Sequence, residues 1–287
     1  MFKTHMGKIS SRKEDSHKGD YGKVLVVAGS RGMTGAACLT AMGALRAGSG
    51  LVTCAVPETL NGVMETKLTE VMTLPVAAGT DGSAFSKKAE KEILEASEKC
   101  DVVAMGPGLG QSQDVHKLVR ALLRKLGVPV VLDADGLNVM EGEAETIKGR
   151  KAATVITPHP GEAARLLGKK TSDVQKERMG SAKRLADITG AVVCLKGHGT
   201  VVVSPEGETF VNDTGNSGMA TGGTGDVLTG IIASFIGQGL NAYSASVSGV
   251  YLHGLAGDIA AQKKGIFSMI ASDVLDSLNE AFAKAGL

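Results

Sequence analysis

Short aliphatic runs alternate with segments of helical periodicity along most of this chain, and this alternation limits the folds open to it. Strands that alternate with helices favour a mainly parallel sheet with helices on both faces, so we predict an α/β fold. The aliphatic runs cover 24–28, 51–56, 102–105, 130–132, 154–156, 192–195 and 201–203. The helical segments cover about 35–48, 86–99, 112–126, 162–168, 174–189, 223–237, 241–262 and 271–284.

The ends of the chain and its connections add little to this pattern. Segments 200–204 and 208–211 flank Pro205-Glu206-Gly207, which indicates a hairpin at the sheet edge. Residues 1–20 are polar and basic, and we expect an arm or a first turn there. Because no repeat or Pro- or Ser-rich linker marks a boundary, the sequence predicts one domain over 1–287.

Composition narrows the class of partner. The chain has 39 glycines, no tryptophan and a net charge of +1, so its surface carries no global field that would draw it to nucleic acid or to a membrane. We therefore expect small-molecule partners. Cys38, Cys54, Cys100 and Cys194 are far apart in apolar segments, which predicts buried free thiols. The sequence shows no secretory leader and no apolar run of about 18 residues, so we expect a cytoplasmic protein.

The run from Asn216 to Gly230, N-S-G-M-A-T-G-G-T-G-D-V-L-T-G, places four glycines and one carboxylate before an apolar helical pattern. Glycines let backbone N–H groups converge on phosphate oxygens, and the helix adds its positive end. Asp226 would repel a phosphate unless it takes a proton from an attacking hydroxyl. The alternative is an Asp that caps the helix, but four glycines at one helix start favour an anion site with a base in it.

Two other glycine-rich turns follow strands. Gly29–Gly35 lacks the G-x-G-x-x-G spacing and the later acidic residue of a dinucleotide-binding fingerprint. Gly106-Pro107-Gly108-Leu109-Gly110 permits close approach of the backbone either to a ligand or to a neighbouring turn.

Polar residues also follow the next three strands. Asp133-Ala134-Asp135-Gly136-Leu137-Asn138 either caps the following helix or lets Asp133 hold water around a phosphate-bound Mg²⁺. In Thr157-Pro158-His159-Pro160-Gly161-Glu162, two prolines fix His159 where it could contact a substrate. In Lys196-Gly197-His198-Gly199-Thr200, Lys196 and Thr200 could reach the phosphates or ribose of a nucleotide, although a lysine that snorkels from a hairpin turn is the alternative.

Taken together, these motifs resemble the ADP/ATP-dependent NAD(P)H-hydrate dehydratases. The resemblance rests on G-P-G-L-G, D-A-D-G-L-N, T-P-H-P-G-E, K-G and N-S-G-M-A-T-G-G-T-G-D, and it extends in the family's order from about Lys18 to about Asp258. It implies a three-layer α/β/α ribokinase-like fold. In that family a nucleotide phosphorylates the ring hydroxyl of the S epimer of NADHX or NADPHX, and loss of phosphate restores NADH or NADPH.

The resemblance also implies roles for individual residues. Asp226 would activate the hydroxyl, and Gly223, Thr224 and Gly225 would stabilise charge on the transferred phosphoryl group. No residue is expected to ligate a metal directly; Mg²⁺ would accompany ADP or ATP. The residues expected to line the nucleotide pocket are Lys196, Gly197, His198, Gly199, Thr200, Asn216, Met219 and Gly225. Those expected to contact the hydrate are Ala41, Gly108, His159 and Asp226.

Several expectations follow from what relatives commonly do. Many relatives carry an N-terminal epimerase domain for which this chain has no room, so we do not expect it to racemise the hydrate. Free-standing bacterial forms commonly prefer ADP, which favours ADP over ATP. Members often form tetramers, and the apolar segment 241–262 would be either an interface or a buried core helix.

Three alternatives remain at this stage. A vitamin-precursor kinase such as a hydroxyethylthiazole kinase shares the anion site and the aspartate, but it phosphorylates a small alcohol and stops. A non-catalytic nucleotide sensor would keep the glycines without needing Asp226. A dinucleotide-dependent dehydrogenase is disfavoured by the missing fingerprint.

Overall fold

The computed structural model describes residues 12–287, and within this part of the chain nine strands form one sheet. The strands are β1 (Lys23–Val27), β2 (Leu51–Pro57), β3 (Met72–Val76), β4 (Val102–Met105), β5 (Val130–Leu132), β6 (Thr154–Ile156), β7 (Val192–Leu195), β8 (Val201–Val203) and β9 (Thr209–Val211). Their order is β3-β2-β1-β4-β5-β6-β7-β8-β9; β3 to β7 pair in parallel, and β8 and β9 extend the sheet antiparallel.

Helices cover both faces of this sheet. They are α1 (Thr34–Arg46), α2 (Asn61–Lys67), α3 (Glu90–Ser97), α4 (Gln113–Lys125), α5 (Asp135–Asn138), α6 (Pro160–Leu167), α7 (Thr171–Lys176), α8 (Arg178–Thr189), α9 (Thr224–Gly237), α10 (Ala242–Lys264), α11 (Ala271–Asp276) and α12 (Leu278–Ala285).

Alternate strand residues enter two separate cores. In β1, Val24 and Val26 pack in the core beneath α1, α9 and α10, whereas Leu25 and Val27 pack in the core beneath α4, α6 and α8. This is the period of two that a strand buried on both faces requires. The prediction of a three-layer α/β/α fold with a mainly parallel sheet is confirmed.

Close contact between α1 and α9 sets the position of the helix that follows the glycine-rich run. A side chain at Gly43 of α1 would lie 2.6 Å from the carbonyl oxygen of Val227, and one at Gly230 of α9 would lie 2.0 Å from that of Thr40. Only glycine at these two positions lets the backbones meet. The start of α9 is thereby placed at the carboxyl ends of the strands, where ligands of open α/β sheets bind.

Some element predictions need correction. Segment 174–189 divides into α7 and α8, and segment 271–284 divides into α11 and α12. The strand β3 was missed because Pro75 argues against a strand; the structure tolerates it because β3 is an edge strand, where an absent N–H leaves no partner unpaired. The helix α2 was also missed.

The expectations for the hairpin, the N-terminal arm and the cysteines have different outcomes. The hairpin at the sheet edge is confirmed as β8 and β9. Within the expected arm, Lys18–Tyr21 forms a 3₁₀ turn, and residues 1–11 lie outside the described residues. All four cysteines are free, but only Cys54 and Cys194 are buried, whereas Cys38 and Cys100 are partly exposed.

Two further expectations concern the apolar segment 241–262 and helices that could span a membrane. The helix α10, which covers the segment considered as an interface, packs against α9, α11 and α12 and buries most of its length within its own chain. It is therefore a core helix. No helix in the described range 12–287 is both long and apolar enough to cross a membrane.

Candidate active site

Turns at the carboxyl ends of the parallel strands are joined to one another by hydrogen bonds. Gly29 N–H donates to the Pro107 carbonyl at 2.9 Å, and Lys196 N–H donates to the Pro158 carbonyl at 2.9 Å. Gly110 N–H donates to Asp135 Oδ2 at 2.8 Å. The turns after β1, β4, β5, β6 and β7 thus form a connected rim, and α9 begins beside it.

The start of α9 has the geometry of an anion site. Gly223 precedes the helix with φ +94°, a left-handed conformation that favours glycine. The Thr224 hydroxyl lies 2.9 Å from the Met219 carbonyl oxygen and 3.0 Å from that of Thr221, so this side chain holds the loop and leaves the backbone N–H facing outward from the helix end. First-turn N–H groups and the helix dipole both favour an anion at this end.

Asp226 lies in this first turn and is partly buried. Burial, and then repulsion from Asp133, raise the pKa of its carboxyl to about 7, although the positive charge of Lys196 opposes them. Asp135 and Glu162 add smaller repulsions. A carboxyl with this pKa accepts a proton readily near neutral pH, which is what a general base needs.

Behind Asp226 lies a buried ion pair. Lys196 Nζ is 2.6 Å from Asp133 Oδ1, and the Thr229 hydroxyl donates to Asp133 Oδ2 at 2.8 Å. The Asp133 side chain is 1% exposed and that of Lys196 18%. Burial disfavours the charge on Lys196, but Asp133 and Glu162 offset it and raise the pKa of the ammonium above its ordinary value. Lys196 does not snorkel to the surface.

This pair changes the interpretation of Asp133. Both carboxylate oxygens of Asp133 are bonded to side chains and its side chain is 1% exposed, which favours a structural ion pair; a contact through water to a phosphate-bound Mg²⁺ ion stays a prediction. The ammonium lies against the anion site, because a side chain at Gly225 would come within 3.3 Å of Lys196 Nζ. Across the described residues, no group of three or more His, Cys, Asp or Glu side chains is arranged to hold a metal ion.

The loop before α9 is fastened to α10. The Asn216 amide donates to the Gly257 carbonyl at 2.9 Å and to Asp258 Oδ1 at 3.0 Å, and its Oδ1 accepts from Gly218 N–H. Asp258 Oδ2 also accepts from Gly215 N–H at 2.9 Å. The Met219 sulfur packs on α10 at Gly257, where a side chain would come within 2.2 Å of it. Asn216 therefore shapes the loop with all its polar atoms.

Arg178, which sequence reasoning missed, holds the turn from Lys196 to Thr200 by hydrogen bonds to backbone carbonyls. The Arg178 guanidinium donates to the carbonyls of Leu195 at 2.9 Å and of Lys196 at 3.3 Å. The Thr200 hydroxyl donates to the Gly197 carbonyl at 3.0 Å, within the turn itself. His198 and Gly197 are exposed, so the outer surface of the turn is open to a ligand.

His159 caps the start of α6 and remains exposed. Its Nδ1 accepts from Gly161 N–H at 3.0 Å, so the neutral ring carries its proton on Nε2. Partial burial and the nearby charge of Lys196 lower the pKa of the imidazole. Glu162 Oε2 accepts from His159 N–H at 2.7 Å, which completes the cap. Its Nε2 lies 3.4 Å from Glu162 Oε1, so the N–H that His159 could offer a substrate is shared with this carboxylate.

The other two expected substrate contacts are less accessible. Ala41 is 0% exposed in the core between α1 and the sheet, so the structure disagrees with a contact between its side chain and the hydrate. Gly108 is buried, and a side chain there would meet Met33 Cβ at 2.9 Å. Its glycine is explained by close packing of the β4 turn on the start of α1.

Sequence reasoning missed Thr229, Arg178 and Asp258 as parts of this rim. Thr229 and Arg178 carry no local signal, because each acts through a long-range contact. Asp258 carries one: it is an acidic residue in the apolar run L-H-G-L-A-G-D-I-A-A, where an unpaired carboxylate would be costly.

Comparison with known proteins identifies relatives over nearly the whole chain. A family model described as NAD(P)H-hydrate dehydratase matches residues 24–280. The chain is 46% identical to the bifunctional NAD(P)H-hydrate repair enzyme Nnr of Moorella thermoacetica over 94% of its own length and 51% of that protein. It is 40% identical to the ADP-dependent (S)-NAD(P)H-hydrate dehydratase of Neisseria meningitidis over 90% of its own length and 83% of that protein.

A solved structure shows the same similarity. The ADP/ATP-dependent NAD(P)H-hydrate dehydratase of Bacillus subtilis, co-crystallised with ATP/Mg²⁺, superposes with a TM-score of 0.83 at 30% identity, covering 99% of this chain and 97% of that one. The chain thus spans about half the length of the bifunctional relative and nearly all of this separate dehydratase.

Proposed function

The chain belongs to the NAD(P)H-hydrate dehydratase family, and from this premise we propose that it dehydrates the S epimer of NADHX or NADPHX at the expense of ADP or ATP. The products are NADH or NADPH, phosphate, and AMP or ADP. The observation that carries the proposal is Asp226, a carboxyl of raised pKa in the first turn of a helix whose glycine-rich start suits a phosphoryl group.

The reaction has two stages in this site. Asp226 takes the proton of the ring hydroxyl, the hydroxyl oxygen attacks the terminal phosphorus, and the bond to the leaving nucleotide breaks. Backbone N–H groups of Gly223, Thr224 and Gly225 stabilise the charge on the transferred group. The ring carbon then loses phosphate, the neighbouring carbon loses a proton, and the ring double bond returns.

We assign the nucleotide and the hydrate to neighbouring parts of the rim. The turn Lys196–Thr200 and the loop residues Asn216 and Met219 form one wall, which we assign to ADP or ATP. In that assignment Lys196 and the exposed part of its turn contact the ligand, while Asn216 acts by holding the loop on α10. We assign the hydrate to the adjacent turn, whose Pro158 carbonyl accepts from Lys196 N–H, and there His159 would donate from Nε2 to the hydrate.

A Mg²⁺ ion fits the proposal as a companion of the nucleotide. It would neutralise charge on the phosphates, which are its preferred partners in such sites. The described residues offer it no cluster of three or more His, Cys, Asp or Glu ligands, so the phosphates would hold it. We expect activity to disappear with EDTA and to return with added Mg²⁺.

One assay tests the function. The protein is incubated with S-NADHX, Mg²⁺ and either ADP or ATP, and the absorbance of the reduced nicotinamide at about 340 nm is followed. We expect the absorbance to rise with either nucleotide, faster with ADP, and only when a nucleotide is present. No rise with either nucleotide would contradict the proposal.

The alternative from the same fold is a small-alcohol kinase of the hydroxyethylthiazole kinase type. It would leave a stable phosphorylated alcohol and would not restore nicotinamide absorbance. A non-catalytic nucleotide sensor would require no base, and the raised pKa of Asp226 favours catalysis over this alternative.

Three further proposals concern the whole protein. We propose one catalytic domain over 1–287, a homotetramer, and a location in the cytoplasm, where the coenzymes that the reaction repairs are used. Sedimentation equilibrium would test the tetramer: we expect a mass about four times that of the 29.3 kDa chain. A species of one chain's mass at working concentration would contradict it.

A further inference from the structure

We propose that Asp133 is a positioning residue for phosphoryl transfer: its buried carboxylate holds the Lys196 ammonium beside the Gly225 turn and thereby keeps that ammonium from pairing with Asp226. The inference rests on the proposed function and adds to it a residue that touches neither substrate. Asp133 would thus influence both the basicity of Asp226 and the position of the ammonium at the phosphate site.

The contacts of Asp133 join three elements. Asp133 follows β5, Lys196 follows β7, and Thr229 lies on α9 one turn beyond Asp226. One carboxylate bonds to both partners, at 2.6 Å to Lys196 Nζ and at 2.8 Å to Thr229 Oγ1. It therefore fixes the ammonium relative to the helix that carries the base.

Stability alone does not explain this pair. A buried ion pair is commonly no more stabilising than apolar side chains of similar volume, because each charge must be removed from water. The adjoining backbone is also strained. Ala134 has φ +50° and is the one non-glycine residue with positive φ in the part of the chain that the structure describes. Strain of this kind concentrates at functional sites.

Three carboxylates act on the Lys196 ammonium, in decreasing order Asp133, Glu162 and Asp226, and the one that holds it decides the strength of the base. While Asp133 binds the ammonium, Asp226 forms no direct ion pair within residues 12–287 and stays basic. Without the charge of Asp133, the ammonium would be left to Glu162 and Asp226, and its attraction would stabilise the ionised form of Asp226. A stabilised carboxylate removes a proton from a hydroxyl less readily.

The charged groups that face Asp226 shift the pKa of its carboxyl according to their sign. Asp133, Asp135 and Glu162 raise the pKa of its carboxyl, whereas Lys196 lowers it. Replacing Asp133 with asparagine removes one repulsion and releases Lys196, and both changes lower the pKa of Asp226. Since the base works only when ionised, activity would then persist to lower pH while its maximum falls.

The test is the pH profile of kcat/KM for S-NADHX in Asp133→Asn, from pH 5 to 9 with saturating nucleotide. We expect the acidic limb to move down by about one pH unit or more, and the maximum to fall at least about tenfold. A lower maximum with an unmoved limb would assign Asp133 a structural role and overturn the inference.

Thr229→Val is the matched control. It removes the hydroxyl bonded to the same carboxylate but leaves both charges in place, so we expect the acidic limb to stay at its wild-type pH. A limb that moves in this variant as far as in Asp133→Asn would show that the shift comes from disturbed packing, and it would also overturn the inference.

A double variant covers the case in which Asp133→Asn does not fold. Asp133→Asn/Lys196→Met removes both charges of the buried pair together, and burial of Asp226 remains. We expect a maximum at least about tenfold below wild type and a limb within about half a pH unit of it. Wild-type activity here would overturn the inference. Failure of the wild-type protein to produce NADH would instead overturn the proposed function.

Discussion

At the scale of single residues, three carboxylates at one edge of the sheet have different tasks because their partners differ. Asp133 is bonded to Lys196 and Thr229, Glu162 caps α6, and Asp226 keeps a raised pKa of about 7. The sequence indicated Asp226 as a base, since a carboxylate among anion-binding amides needs a reason. It could not indicate the task of Asp133, whose partners lie 63 and 96 residues away.

The base role predicts the behaviour of Asp226→Asn. We expect it to lose at least about 100-fold in kcat while binding ADP normally, because an amide cannot take the proton. In the wild-type protein, kcat/KM should fall as the pH drops below about 7, where the Asp226 carboxyl becomes protonated. Unchanged turnover in the variant would exclude the role.

The same substitution should stabilise the protein. A carboxyl whose pKa is higher in the folded state binds its proton more tightly there, so folding is disfavoured progressively as the pH rises from about 4 through about 7. Asp226→Asn removes this penalty. We expect its free energy of unfolding to exceed that of the wild type by up to about 4 kcal/mol at pH 8 and by almost nothing at pH 4. Equal stabilities at pH 8 would argue against a raised pKa.

At the scale of elements, the sequence predicted the start of α9 but not the long-range contacts that hold it in place. The glycines followed by an apolar helical pattern indicated an anion site at a helix start. The close crossing of α1 and α9 at Gly43 and Gly230, and the fastening of the loop by Asp258, depend on residues distant in sequence. Local patterns contain no information about such contacts.

Gly222 and Gly223 are neighbours in the sequence, but only Gly223 has a backbone conformation and surroundings that require glycine. At Gly223, φ is +94° and a side chain would lie 2.4 Å from Leu39 Cδ1, so we expect Gly223→Ala to destabilise the protein by at least about 1 kcal/mol and to weaken ADP binding. Gly222 is exposed, and no atom of residues 12–287 lies within 4 Å of an added side chain. Gly222→Ala should therefore keep wild-type stability; equal losses in both variants, by thermal unfolding and ADP titration, would refute this.

The fastening of the loop by α10 predicts a selective defect. In Asp258→Asn the amide oxygen can accept from either Gly215 N–H or the Asn216 amide, and its NH₂ group then faces the other donor, so one bond is lost and the loop loosens. We expect KM for the nucleotide to rise about tenfold, with the acidic limb of the pH profile unmoved. Asp276→Asn, an exposed change on α11, is the control and should leave KM unchanged. An unaltered KM in Asp258→Asn would contradict the fastening.

At the scale of the whole molecule, alternation and composition predicted the layers, and the structure confirms them. The departures are local: Pro75 concealed β3, and two long helical patterns divide where the chain turns. A net charge of +1 requires any attraction for phosphates to arise locally, and the site meets this requirement with a helix end and one buried ammonium. The fold brings residues from five strand ends to that point.

The most direct test is a crystal structure of the protein with S-NADHX and a nucleotide analogue that cannot transfer its phosphate. We expect the Asp226 carboxylate within about 3.2 Å of the ring hydroxyl, and the terminal phosphate at the N–H groups of Gly223, Thr224 and Gly225. A hydroxyl bound beyond the reach of Asp226, with the phosphate away from the start of α9, would contradict the account.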